Sequence, residues 1–241
     1  MDKIKITSSL LEEKASFKGI ESNIYVVDGL LYKVFKGLDD NVIKNKIEKV
    51  EILNDLNVED FNPKGIIYLN NTILGYAMSY DKDLTEIDSF KTPNKLKIDM
   101  LKQIKIKLDN LHNKGIVYGD LNPTNILQKN YIASLCDFDN VCVSNHPFDT
   151  ISIVEKSYLN KFGKEDLERL DTYMLNAVTI SLLTNVVISY AIIDLYNNGL
   201  PLILKTKENK EIADAMICLD NKDKIEPFVD HVKRYHLWYL F

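Results

Sequence analysis

Arginine is nearly missing from this chain of 241 residues: Arg169 and Arg234 are the only two among 30 basic residues. Few planar guanidinium forks are therefore available to grip phosphates or carboxylates in pairs. Cysteine is scarce as well. Cys136, Cys142 and Cys218 are odd in number and form no C-x-x-C pair. That excludes a disulfide framework and a structural zinc site, and it predicts a reducing compartment, the cytoplasm. Positive charge is not in excess. The net charge is −5 and the pI about 5.5, so neither nucleic acid nor an anionic membrane surface is expected as the main partner. Internal repeats and low-complexity linkers are lacking. The opening "MDKIKITSSLLEEK" carries charges where a secretory leader needs an apolar run, so secretion is not expected.

One uncharged run is long. Met174 to Ile193, "MLNAVTISLLTNVVISYAII", has the length of a membrane span, for which about 20 predominantly apolar residues are needed. Asn176, Thr179, Ser181, Thr184, Asn185 and Ser189 interrupt it. A helix buried in a soluble core is the expectation.

The rest of the composition suits a globular fold of one large domain or two modest lobes. Residues 17–36 read as strands, with Asp28-Gly29 between apolar runs as a hairpin signal, because a tight type I′ turn needs positive φ at both central residues. Residues 40–57 read as a helix with Ile43, Ile47, Val50, Leu53 and Leu56 at helical spacing. Residues 65–80 read as a second hairpin around Asn70-Asn71. A long helix is predicted over 92–115, with Pro93 near its start and Gly115 at its end. Another is predicted over 166–195. Residues 205–224 carry alternating charges and predict a solvated surface. The tail "HVKRYHLWYLF" predicts a packed terminal helix whose aromatics could equally form an interface. The expected plan is a β-rich lobe over 1–80 with one helix, a single crossing near 80–83, and a mainly helical lobe over 81–241.

Between the two long helices lie "VYGDLNPTNIL", Val117 to Leu127, and "LCDFDNV", Leu135 to Val141. Asp120 and Asn125 stand five apart on one loop, and Asp137 follows twelve residues later. Carboxylate and amide oxygens are ligands of the hardness that Mg²⁺ prefers. Phosphoryl transfer needs such ligands, a carboxylate to orient the acceptor hydroxyl, and a cation on the nucleotide phosphates.

On these stretches the sequence resembles the protein-kinase superfamily. "LHNKGIVYGDLNPTNIL" lies over that family's catalytic loop and "LCDFDNV" over its D-F-G segment. The resemblance, over about residues 15–195, implies an α+β, bilobal protein-kinase-like fold. It implies Asp120 as catalytic aspartate and Asn125 and Asp137 as Mg²⁺ ligands. His112 would be structural, and Asp171, in "RLDTYMLNAVTISLL", would bind the catalytic-loop backbone. "LLYKVFK" is similar to the strand that carries the phosphate-anchoring lysine. It offers Lys33 and Lys36. Strand parity puts Leu31, Lys33 and Phe35 on one face, and the family pattern sets the lysine on the face of the adenine-contacting residue, so the resemblance implies Lys33, with Leu31 lining an adenine pocket. A glutamate of the next helix should pair with Lys33: Glu48, or else Glu51. "YAMSYDKDL" looks like the hinge, with Met78 beside the adenine and Ser79 and Tyr80 offering backbone groups to it. "FKGIESNIYV" matches the glycine-rich phosphate loop only in part. Gly19 is kept, Ser22 stands for the last glycine and Phe17 for the first.

Other positions depart from the family pattern. Tyr118-Gly119 stand where His-Arg is common, Asn122 where a lysine is usual, and Asp139 where the glycine of D-F-G belongs. An A-P-E motif is missing between Asp137 and Asp171. The implied activity is an ATP- and Mg²⁺-dependent transfer of the γ-phosphate to a hydroxyl, foremost Ser/Thr of a protein substrate. A small-molecule acceptor, as in aminoglycoside- and choline-kinase-like enzymes, is one alternative. A pseudokinase that binds nucleotide or regulates is the other.

Overall fold

The computed structural model describes residues 1–149 and 167–184, with Lys156, Tyr158 and Leu159 between them. The expectations for 185–195, for 205–224 and for the tail lie outside the described residues, as does Cys218. The fold is α+β with a mixed sheet. The chain divides into two compact units, Met1–Asp83 with Asp137–Asp149, and Leu84–Cys136 with the residues from Thr150 on. The expected boundary at 80/81 is close to the first crossing. The segment 137–149 was expected in the second lobe but groups with the first, so the chain crosses three times rather than once. Ion pairs to the first unit, described below, hold the segment there.

The first unit contains β1 (Asp2–Lys5), α1 (Ser8–Glu12), β2 (Phe17–Lys18), β3 (Ser22–Val27), β4 (Leu30–Phe35), α2 (Asp40–Asp55), β5 (Pro63–Leu69) and β6 (Thr72–Ser79). The strands form one sheet in the order β1-β5-β6-β4-β3-β2. Only β1 runs parallel to its neighbour; the other pairs are antiparallel. Both expected hairpins are present. Asp28 and Gly29 have φ of 51° and 78°, and Asn70 and Asn71 have 48° and 70°. These are the left-handed values that a two-residue turn joining right-twisted strands requires. β1 and α1 were not legible from the sequence.

Strand alternation gives the sheet two unlike faces. Tyr25, Val34, Ile67 and Ala77 form one apolar cluster, against which Leu10 and Leu11 of α1 pack. Phe35 and Tyr76, from alternate positions, belong to the other face with Lys33. Their rings lie 6.1 Å apart, and Phe61 links Tyr76 (5.9 Å) to Phe138 (5.4 Å). On α2, Asp39 caps the N-terminus by accepting from the amides of Asn41 and Val42 at 3.0 Å. Val50 and Leu53 of this helix are fully buried, and each such side chain contributes about 1.5–3 kcal/mol.

The second unit contains β7 (Thr85–Glu86), α3 (Asn94–His112), β8 (Ile116–Val117), a 3₁₀ turn (Pro123–Asn125), β9 (Ile126–Lys129), β10 (Ile132–Leu135) and α4 (Leu167–Thr184). The short β11 (Cys142–Val143) belongs to the segment that returns to the first unit. β10, β9 and β7 form a small antiparallel sheet. Asn130 and Tyr131 turn its hairpin at φ of 53° and 64°. Gln103 of α3 clasps that hairpin, accepting from the Ala133 amide (2.9 Å) and donating to the Tyr131 carbonyl (3.2 Å). Ile98, Leu101, Ile104 and Leu108 of α3 are buried, as are Leu170, Met174 and Val178 of α4. Asn176 and Thr179 are fully buried too, and the Thr179 hydroxyl donates to the Leu175 carbonyl at 2.7 Å. Over its described residues the uncharged run is thus a core helix. Among the described residues no helix is long and apolar enough to cross a membrane.

Candidate functional site

Two groups of the expected residues are assembled, one in each unit. In the first unit Lys33 sits in mid-strand on β4, 8% exposed. Its ammonium donates to Asp137 Oδ1 and to Asp139 Oδ1, the latter at 2.7 Å. Lys36 lies outside this group and donates to Asn23 at the surface. Of the two lysines, Lys33 is thus the buried one. Burial works to lower the Lys33 pKa, but the charge of Asp139, with help from Tyr76 and Asp137, more than offsets it, and the value rises well above the usual lysine range. Asp139 is 3% exposed. Burial would raise its pKa, yet the attraction of Lys33 and Lys46 holds it below the usual carboxylate range. Asp137 is pushed up to about 7, by burial first and then by the charge of Asp139, against the pull of Lys33. Its side chain nevertheless keeps 42% of its surface open. Asp137 also has φ of 63°, a left-handed value uncommon outside glycine and asparagine.

The expected pairing of Lys33 with a glutamate of α2 does not occur. Glu48 lies 3.8 Å from both Lys44 and His146, and Glu51 is exposed. The register of the helix is the reason. Its buried stripe runs through Lys46, Ile47, Lys49, Val50 and Leu53, so it turns lysines inward and glutamates outward. Lys46 reaches Glu21 (3.3 Å), Asp139 (3.5 Å) and Asp149 (3.9 Å). Lys49 donates to Asp149 at 2.8 Å and to the Pro147 carbonyl. Three buried lysines and the acids of the 137–149 segment thereby neutralise one another, as charges withdrawn from water must.

The remaining expected residues of this unit lie along the same strands. Leu31 and Met78 are cross-strand partners on β4 and β6, on the face that carries Lys33. Two strand positions separate Leu31 from Lys33, roughly 7 Å. Ser79 pairs with Leu30 at the end of β6. The Tyr80 amide donates to the Gly29 carbonyl at 2.9 Å, so that N–H is engaged within the sheet. Gly19 and Ser22 close the β2–β3 turn, the Gly19 amide donating to the Ser22 carbonyl at 2.9 Å. Ser22 is buried, and Ile20 at the tip is 95% exposed.

In the second unit the Asp120–Asn125 loop is held from both ends. Asn122 accepts from the amides of Thr124 (3.0 Å) and Asn125 (3.2 Å), capping the 3₁₀ turn that Pro123 begins. Asn125 Nδ2 donates to the Asp120 carbonyl (2.8 Å) and to Asp120 Oδ2 (3.1 Å). Its nitrogen is thus committed to Asp120, and its oxygen is the amide's acceptor. Behind the loop, Asp171 is fully buried on α4. It accepts from the amides of Tyr118 (2.8 Å) and Gly119 (2.7 Å), and its Oδ2 bonds His112 Nε2 at 2.8 Å. Both the backbone role of Asp171 and the structural role of His112 therefore hold. Gly119 has φ of 72°, which suits the glycine found there. Tyr118 donates its hydroxyl to the Cys136 carbonyl, one residue before Asp137.

Among the described residues no cluster of three or more His, Cys, Asp or Glu side chains forms a self-contained metal site. Mg²⁺ is commonly held by one or two carboxylates together with substrate phosphates and water; Asp137 in the first unit and Asn125 in the second each carry an oxygen of that kind. The chain matches no known protein family, and no curated protein matches it at a significant level.

Lys46, Lys49 and Asp149 were missed in the sequence. A signal existed. Lys46 and Lys49 are three apart and each stands four before an apolar core position of the same helix, Val50 and Leu53. Gly75 was missed as well, and nothing in its local sequence distinguishes it.

Proposed function

We propose that this protein is an ATP-dependent phosphotransferase of protein-kinase-like, bilobal fold that moves the γ-phosphate to a hydroxyl, foremost Ser/Thr of a protein in the cytoplasm. The observation that carries the reading is the buried Lys33 ammonium between Asp137 and Asp139 on a strand face that also bears Leu31 and Met78. An ordinary edge lysine faces water. This one is kept charged in the interior beside carboxylates, a costly arrangement that suits an anchor for nucleotide phosphates.

In this reading Leu31 and Met78 flank the adenine, Lys33 holds the α/β-phosphates, and the Gly19–Ser22 turn covers them. Asp120 orients the acceptor hydroxyl and accepts its proton. Asn125 and Asp137 hold Mg²⁺, which when bound spreads the negative charge of the phosphates. Asn122 caps its own turn, so it does not take the place of a phosphate-contacting lysine.

Incubation with Mg²⁺ and γ-labelled ATP, alone and with bacterial lysate, tests this. Label should pass to protein with the wild type. The Asp120→Ala variant should transfer more slowly by about 10²–10⁴-fold, the usual weight of a general base, and Asp137→Ala should lose Mg²⁺ dependence. ATP consumption without protein label, stimulated by a small alcohol, would move the acceptor to a small molecule. Nucleotide binding without turnover would leave a pseudokinase, and no Mg²⁺-dependent nucleotide binding at all would end the reading.

A further inference from the structure

The pairing that α2 does not supply points to a different residue. We propose that Asp139 is the positioning residue for Lys33: a fixed buried anion that aims the ammonium at nucleotide phosphates and leaves Asp137 free to exchange Lys33 for Mg²⁺. The proposal rests on the phosphotransferase reading and deepens it.

Four observations support it. Asp139 divides its oxygens between two lysines, Oδ1 to Lys33 at 2.7 Å and Oδ2 facing Lys46 at 3.5 Å. The carboxylate is buried and Lys46 is 1% exposed, so neither swings into solvent without abandoning a charge in the interior. Lys46 is tied in turn to Glu21, of the β2–β3 turn. Finally, the two acids on Lys33 differ in access, Asp137 keeping 42% of its side-chain surface and Asp139 4%.

These observations divide the labour. The accessible acid is the one a cation can reach. When it turns to the cation, Lys33 still has Asp139 and its geometry is kept. The departure from the glycine expected at 139 is then functional: a glycine would leave Lys33 with one partner, which the metal would claim. α2 takes part through Lys46, which steadies the acid, with the charges reversed relative to a glutamate-bearing helix.

The experiment compares adenosine, ADP and ATP as probes, by calorimetry on the full chain. Lys33→Met should weaken ADP and ATP by about tenfold or more, the scale of one charged hydrogen bond, with adenosine unchanged. Asp139→Asn should weaken ADP and ATP by a similar factor, again sparing adenosine. Its effect should vanish in the Lys33→Met background, as two groups acting through one contact require. Equal weakening of all three ligands would mean that Asp139 only supports the fold, and would overturn the proposal. So would wild-type ADP affinity in Asp139→Asn.

A second variant guards against misfolding. Glu48→Gln with Glu51→Gln alters only partly or fully exposed side chains, and it should leave the ADP-to-adenosine ratio unchanged. A loss as large as that of Lys33→Met would show that a helix glutamate is the working partner, against the proposal. Failure of the underlying reading looks different: the wild type would then bind none of the three, or bind ADP as tightly with Met at 33.

Discussion

Gly75 on β6 passes so close to Lys33 on β4 that a Cβ at position 75 would lie 1.9 Å from the Lys33 carbonyl oxygen. The neighbouring atom is backbone and cannot turn aside. Gly75→Ala must therefore part the two strands where Lys33 is mounted. The expected cost is about 3 kcal/mol, at the upper end of ordinary overpacking, read as a lowered urea midpoint. ADP affinity should fall in the folded fraction. Alanine accommodated without loss of stability would show that the strands separate more freely here than the packing indicates.

Asp171 satisfies two buried amides and one imidazole. Asp171→Ala leaves the amides of Tyr118 and Gly119 without this acceptor and should destabilise the protein by about 3–5 kcal/mol, the scale of breaking a buried charged group's contacts. Asp171→Asn keeps one oxygen and should cost less. Thermal melts of the two variants beside the wild type rank them, and the reverse order would contradict this account.

His112 gives the fold a pH dependence of known sign. Burial lowers its pKa, but the hydrogen bond and charge of Asp171 outweigh burial and leave it raised above 6.5. A raised value means that the folded state binds the proton more tightly than the unfolded chain. The stabilisation is then complete below the unfolded pKa and is lost as pH rises through the folded one. The wild-type urea midpoint should fall relative to that of His112→Gln as pH rises above about 6.5. Parallel curves would show that His112 is not linked to folding.

Lys49 fastens the 137–149 segment to α2 through Asp149 and the Pro147 carbonyl. Lys49→Met removes a fully buried cation and leaves Asp149 to Asn45 and the more distant Lys46. We expect a loss of about 3 kcal/mol and faster amide exchange across 137–149 than across the β-sheet. Uniform exchange throughout the first unit would mean that the segment does not open separately. The double change Lys49→Met with Asp149→Leu should recover part of the stability, since it leaves neither charge unpaired.

Local chemistry made much of this legible in advance. The Asp28-Gly29 and Asn70-Asn71 turns and the helices α2 and α3 depend on φ preferences and on periods of 2 or 3.6 residues, which adjacent residues set by themselves. Asp171 was placed by the resemblance alone, because its helix also carries Glu168 and Arg169.

Which charges would meet was not local. α2 has enough lysines and glutamates for either to face inward, and the side that packs on the sheet decided for Lys46 and Lys49. That choice displaced Glu48, called in an anion from another part of the chain, and brought Asp137, Asp139 and Asp149 back to the first unit. The strand β1 and the tight crossing at Gly75 were hidden for the same reason. Their justification is a partner more than forty residues away. A buried charge is stable only beside its opposite, and only the folded chain specifies which opposite that is.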